Sequence, residues 1–147
     1  MQNPGKELYE TGMHFLCKDQ VPDGAPVPQF DVHASPNCLS DDAVVQIKSQ
    51  VPFYWVNDEF HYNGHKTYPT GIMTLIHYAQ VQWEMLCTDR TKAYLIIVTP
   101  FHGATSFTVK KDIEWLVQAI KWLVWRYEHY VSGANLQRLL STENAVY

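Results

Sequence analysis

The sequence predicts an α/β or α+β sandwich built on a mixed β-sheet, and three observations carry that expectation. A β-branched run, Ala43 to Lys48, follows a turn of Ser40, Asp41 and Asp42. Two further runs, KAYLIIVT at 92–99 and ATSFTVK at 104–110, have strand composition and spacing. Two stretches, 70–87 and 111–131, carry apolar residues at helical spacing. The resulting order of hairpin, helix, two strands and helix is that of a sheet with helices packed on it.

Along the chain, residues 1–30 form a loop-rich N-terminal segment with Pro4, Gly5, Gly12, Pro22, Gly24, Pro26 and Pro28, and a short helix is expected over 7–17. Residues 31–49 read as a β-hairpin. Val32 and Ala34 lie on its first strand, which Asn37 ends. On its second strand, period two sends Val45 and Ile47 one way and Val44, Gln46 and Lys48 the other. Residues 50–68 read as an aromatic-rich loop with Phe53, Tyr54, Trp55, Phe60, Tyr62 and Tyr68. On the helix over 70–87, Ile72, Leu75, Ile76, Ala79, Trp83 and Leu86 make an apolar stripe, with Thr74, His77, Gln80 and Glu84 largely off it. The strand at 92–99 reads as central and the one at 104–110 as an edge or half-buried strand. Asp112 and Glu114 open the last helix, Gly133 stops it, and Trp115, Trp122 and Trp125 leave it apolar on more than one side. The core is thus expected over 31–131, with a tail over 132–147.

Composition narrows the classes. At 147 residues, 46% hydrophobic and 18% charged, the chain suits one folded domain. The apolar C-terminal stretch is broken by Gln118, Lys121 and Arg126, which argues against a membrane span, and Met1 to Tyr9 has no signal-type apolar core. Three separated cysteines, Cys17, Cys38 and Cys87, without zinc spacing point to free thiols in a reducing, intracellular compartment. His61 and His65 have one-face helical spacing, yet Gly64 and the neighbouring Asn57, Asp58 and Asn63 favour a surface loop over a zinc site. The net charge of −4 does not by itself suggest DNA, but a local basic patch can act within an acidic chain.

Metal-dependent phosphodiester hydrolysis needs carboxylates around a divalent ion and benefits from a nearby lysine. A carboxylate on one strand, with a second carboxylate and a lysine two apart on the next, is a compact way to supply them. The segment HASPNCLSDDAVVQIKS has this layout with Asn37, Gln46 and Lys48. It resembles the ASPDG…EIK signature of the lambda-exonuclease-like (YqaJ-type) viral recombinase nucleases, a branch of the PD-(D/E)xK superfamily. Ala34, Ser35, Pro36, Ile47 and Lys48 match it. Asn37 stands for aspartate, Cys38 for glycine and Gln46 for glutamate. Downstream, HYAQVQWEMLCTDRTKAYLIIVTP resembles the family's YxxQVQxxM helix and following strand, and SFTVKKDIEW its next strand and turn into the last helix.

The resemblance implies a restriction-endonuclease-like α/β fold and a DNA exonuclease that uses Mg²⁺ or Mn²⁺. It implies positions 37 and 46 and the backbone carbonyl of Ile47 as metal ligands, Lys48 as the catalytic lysine, and Gln80 near the active centre or the DNA. DNA, as duplex ends or single strands, is the implied partner, with homo-oligomers or a protein partner as further implications. The family also uses an N-terminal glutamate, for which Glu7 and Glu10 are both open. An amide keeps the shape of its acid but not the charge that a hard cation prefers. Metal binding is therefore expected to be impaired and cutting weak or lost. The alternatives are a non-catalytic nucleic-acid-binding or scaffolding pseudonuclease, and a structural domain using the tryptophan-rich helix.

Overall fold

The structure, a computed structural model, describes residues 7–130. The expected tail at 132–147 and the Gly133 stop lie outside the described residues. Strands β1 (Tyr9–Glu10), β4 (Cys38–Leu39), β5 (Ala43–Ser49), β8 (Lys92–Thr99) and β9 (Gly103–Lys110) form a five-stranded sheet in the order β1-β4-β5-β8-β9. Only β5 and β8 run parallel; the other pairs are antiparallel, so the sheet is mixed. Two smaller two-stranded sheets pair β2 (His14–Phe15) with β3 (His33–Ala34) and β6 (Phe53–Val56) with β7 (Glu59–Tyr62). Helix α1 (Leu75–Cys87) lies on the crossover from β5 to β8, and α2 (Ile113–Tyr130) follows β9. No helix of the described residues is long and apolar enough to cross a membrane.

One face of the sheet carries the core. Val44 of β5 and Ala93, Leu95 and Ile97 of β8 pack against Val81 and Met85 of α1. Helix α2 joins through a second cluster of Leu86, Leu116 and Ile120, backed by Trp83, Trp115 and the N-terminal residues Leu16 and Val21. Helix α1 is therefore buried on two sides in its C-terminal half, towards the sheet and towards α2. This corrects the expected stripe. Trp83 and Leu86 face α2, but Ile72, Leu75 and Ile76 at the other end of that stripe are 75–86% exposed.

Two local expectations fail for identifiable reasons. No helix forms over 7–17; β1 and β2 occupy it, each two residues long, and β1 pairs with β4 as the edge of the main sheet. Proline and glycine punctuation marked this region as irregular, but strands this short leave no periodicity to read. The aromatic stretch is a hairpin. Asn57 and Asp58 both take positive φ, 50° and 63°, as a two-residue primed turn requires. Phe53 and Tyr62 then face each other across the ladder, as do Trp55 and Phe60. The hairpin partner of β5 is also shorter than expected. His33–Ala34 belongs to the separate β2–β3 sheet, and Asn37 precedes β4 rather than ending a strand.

The β9–α2 junction is fixed by Asp112. Its Oδ1 accepts from Trp115 N–H at 2.9 Å and its Oδ2 from the Tyr78 hydroxyl at 2.8 Å. The Trp115 amide first, and then the Tyr78 hydroxyl, hold the Asp112 carboxyl below its ordinary value. A depressed carboxyl contributes stability above the ordinary carboxylate range and loses it as pH falls through the lowered value. Asp112→Asn keeps an acceptor but removes the titration. It is expected to flatten the fall of thermal midpoint with pH on the acid side, as read by melts across the carboxylate range.

Candidate active site

The site is assembled from the end of one strand, the start of another and one helix face. Register pairs Cys38 with Val45 and Leu39 with Val44, so Asn37 falls next in line, opposite Gln46. Side chains complete the ladder there. Asn37 N–H donates to Gln46 Oε1 at 3.2 Å, and Ile47 N–H donates to Asn37 Oδ1 at 2.8 Å. The N–H and C=O of one strand residue point to the same side. The Ile47 carbonyl is therefore directed towards Asn37, while its side chain stands on the other face, 44% exposed. Gln46 is only 4% exposed, and Lys48, two residues on, shares its face.

Helix α1 lies over this face. A cleft of ≈ 300 Å³ at the end of β5 is lined by Lys48, Gln50, Lys66, His77 and Ile97. Gln80 is half-buried, and its Nε2 donates to Glu84 Oε1 at 2.8 Å. Glu84 is 2% exposed, and the Lys48 charge reaches it. Burial pushes the Glu84 carboxyl up, against the smaller pulls of the Gln80 amide and Lys48. Two buried polar atoms of this helix, His77 Nδ1 and Glu84 Oε2, have no hydrogen-bond partner among the described residues. Sequence reasoning missed Glu84 because its place off the apolar stripe reads as a solvated one.

The two glutamines of QVQ do different work. Gln80 faces Glu84, whereas Gln82 is fully buried between Lys110 O and Asp112 N–H, at 2.8 Å each. Of the two N-terminal acids left open, Glu10 pairs with Cys38 on β4. Directly paired residues share a face, so Glu10 and Cys38 lie with Val45, opposite to Gln46 and Lys48. Glu7 precedes β1 and is exposed.

A divalent ion prefers anionic oxygen. Asn37 and Gln46 offer neutral oxygens that each already take a backbone N–H. Among the described residues no three His, Cys, Asp or Glu side chains gather as a metal cluster. The strand pair therefore fits a hard cation poorly.

No protein-family model matches the chain, and no curated protein does. Among solved structures, LHK-Exo, an alkaline exonuclease from Laribacter hongkongensis, matches in its dAMP complex with a TM-score of 0.56 and 17% identity. The match covers 98% of this chain and 66% of that one. The chain shares the fold of an alkaline exonuclease. A second LHK-Exo structure gives a TM-score of 0.48 at 18% identity, covering 95% of this chain and 65% of the exonuclease. The structure of SSO0001 gives 0.50 at 9% identity, covering 86% and 52%. The chain thus spans 52–66% of the length of these proteins. The fold read from the SPN hairpin and the QVQ helix is the one found, an α/β restriction-endonuclease-like domain with a mixed sheet and two helices.

Proposed function

We propose that this chain is a nuclease-fold domain of the DNA exonuclease type that binds DNA at the Lys48 cleft and, as written, cleaves it weakly or not at all. The observation that carries this reading is the Asn37–Gln46 pair, which stands beside Lys48 with both amide oxygens engaged by backbone N–H groups. A divalent ion, when bound, would activate water and offset developing charge. Lys48 and Lys66 set a positive charge at the cleft mouth for a phosphate, and Gln80 holds Glu84, which the Lys48 charge reaches. A neighbour of the same fold holds dAMP, which favours a nucleotide chain as the ligand class. The engaged amides equally favour a non-catalytic DNA-binding role, which differs from the first reading only in turnover.

The lysines divide. Lys92 is ion-paired with Asp42 at 2.6 Å and Lys111 with Asp89 at 3.6 Å, and Lys92 sits five register positions from Ile97 at the far end of β8. Lys48 and Lys66 line one cleft together, and binding is assigned to them on that ground. In anisotropy titrations with 5′-phosphorylated duplex and overhang DNA, at low salt and in EDTA, Lys48→Glu with Lys66→Glu is expected to weaken affinity by about 10- to 100-fold. It should also reduce the salt slope by roughly two. Lys92→Ala is expected to change affinity less than about threefold, since its charge is already partnered. An unmodified chain that binds no DNA under these conditions refutes the proposal.

A further inference from the structure

We infer that one face of the β6–β7 hairpin is a stacking platform for the unpaired bases of a DNA strand whose phosphates lie at Lys48 and Lys66. This rests on the DNA-binding reading of that cleft and adds to it a surface that takes bases rather than phosphates.

The platform follows from the register. Directly paired residues share a face, and successive residues alternate between faces. The pairs Phe53–Tyr62 and Trp55–Phe60 therefore set four aromatic rings on one face, while Tyr54 and His61 stand on the other. The Phe60 ring centroid lies 6.0 Å from that of Phe53 and 5.5 Å from that of Trp55. Phe101, from the β8–β9 turn, extends the patch with an edge-on contact to Phe53 at 6.3 Å. The patch is not turned into the protein. Among the described residues neither core cluster includes a hairpin residue, and Trp55, Phe60 and Tyr62 are 70%, 57% and 60% exposed. A contiguous exposed apolar patch marks a binding face.

Continuity with the cleft identifies the occupant. The chain leaves β5 along the cleft wall through Ser49, Gln50 and Val51, makes the hairpin, and returns to the cleft at Lys66 in the 3₁₀ turn Gly64–Lys66. Asn63 N–H donates to the Pro52 carbonyl and Gln50 Nε2 to the Tyr68 carbonyl, each at 2.7 Å, which fixes the base of the hairpin against the cleft. The Phe53–Tyr62 pair is thus next to the lysines, and Trp55–Phe60 lies two residues, about 7 Å, further out. Asp58 and Glu59 place negative charge at the tip, so a polyanion is drawn to the base of the hairpin rather than past its end. Rings that begin at two lysines match a single strand, whose phosphates carry the charge and whose bases each offer a π-face. A second copy of the chain or an apolar protein partner would use the rings but not the lysines.

Anisotropy titrations in EDTA test this with two single strands of equal length, 5′-phosphorylated oligothymidylate and an abasic strand that keeps the phosphates without the bases. The unmodified chain is expected to bind the first at least about fivefold more tightly. Stacking releases no counterions, so that ratio should hold as salt rises while both affinities fall. Trp55→Ala with Phe60→Ala is expected to bring the ratio to about one. Trp55→Phe with Phe60→Tyr, which keeps both rings, should retain most of it, and so should Tyr54→Ala on the opposite face. A 2-aminopurine in the strand should be quenched on binding to the unmodified chain, a readout that needs no variant. Equal affinity of the unmodified chain for the two strands, or a ratio that the double alanine variant keeps, overturns the inference. So does a dimer in sedimentation that the same variant dissociates, which would give the face to a second copy. Lys48→Glu with Lys66→Glu separates the two readings. If that variant binds oligothymidylate as tightly as the unmodified chain, with the hairpin-dependent preference intact, the cleft reading fails and the platform stands. If the two strands bind equally and only through the lysines, the platform fails and the cleft reading stands. Binding of neither strand overturns both.

Discussion

Asn37→Asp combined with Gln46→Glu is expected to create a cation site where the unmodified chain has two neutral amides. The two side chains stand opposite one another at the end of the β4–β5 ladder, and each amide oxygen accepts a backbone N–H there. Replacing each amide by its acid keeps the size and the acceptor that receives the backbone N–H. It adds two negative charges at positions about 5 Å apart. In the absence of metal those charges repel, by roughly 3 kcal/mol at an effective dielectric of 20. The doubly substituted chain should therefore melt below the unmodified one in EDTA. With Mg²⁺ or Mn²⁺ the repulsion becomes attraction to the ion. At an ion concentration near 100 times the dissociation constant, binding adds about 2.7 kcal/mol. For a domain of this size that raises the midpoint by on the order of 10 °C. The unmodified chain, with neither carboxylate and no such gain, should respond by no more than about 2 °C. Either single substitution should give an intermediate shift. Cleavage of a 5′-phosphorylated duplex is expected to appear only in the doubly substituted chain. A restored chain whose melting ignores both metals refutes the ligand roles of positions 37 and 46. Robust cutting by the unmodified chain refutes the claim that the amides disable it.

How much of this was legible depended on the range of the interaction. The shared face of Gln46 and Lys48 follows from period two alone, and the opposition of Asn37 and Gln46 follows from a three-residue turn at Ser40–Asp42. Both are local, and both could be read. The strands at 92–99 and 104–110 and the last helix were legible for the same reason, since long periodic runs fix their own structure. The N-terminal strands were not, because each two-residue strand exists only through its partner, β4 for one and β3 for the other. The Phe53–Tyr62 hairpin carried strong strand formers, but its turn is Asn57–Asp58 without the glycine that usually announces a primed turn. Glu84 was the costliest omission. Its burial depends on α1 lying with one side on the sheet and another on α2, which no single-helix pattern reveals. Lys48 and Lys92 likewise separate only once β5 and β8 are known to run parallel in register.

The largest stability effect is expected at Gln82. This side chain is 0% exposed, and both ends of its amide are used. Its Nε2 donates to the Lys110 carbonyl and its Oε1 accepts the Asp112 N–H, each at 2.8 Å. It thereby pins α1 to the point where β9 ends and α2 begins. The groups it satisfies are main-chain groups at a strand end and a helix start, where no regular ladder supplies partners. Gln82→Leu keeps roughly the volume but leaves a carbonyl and an N–H facing an apolar side chain. Each unsatisfied buried group costs about 1–3 kcal/mol, so a loss of about 3–5 kcal/mol is expected. Gln82→Glu tests the direction of each bond. The carboxylate can still accept from Asp112 N–H, but it turns an oxygen towards the Lys110 carbonyl oxygen and brings a buried charge. It should be at least as damaging as the leucine at neutral pH and less so in acid, where the protonated carboxyl can donate to that carbonyl. Gln80→Leu is the comparison. Gln80 is half-buried and bonds only the Glu84 side chain, so it should cost about 1 kcal/mol or less. Urea unfolding of the three variants ranks them, and a Gln82→Leu chain as stable as Gln80→Leu would show that the β9–α2 junction does not depend on this amide.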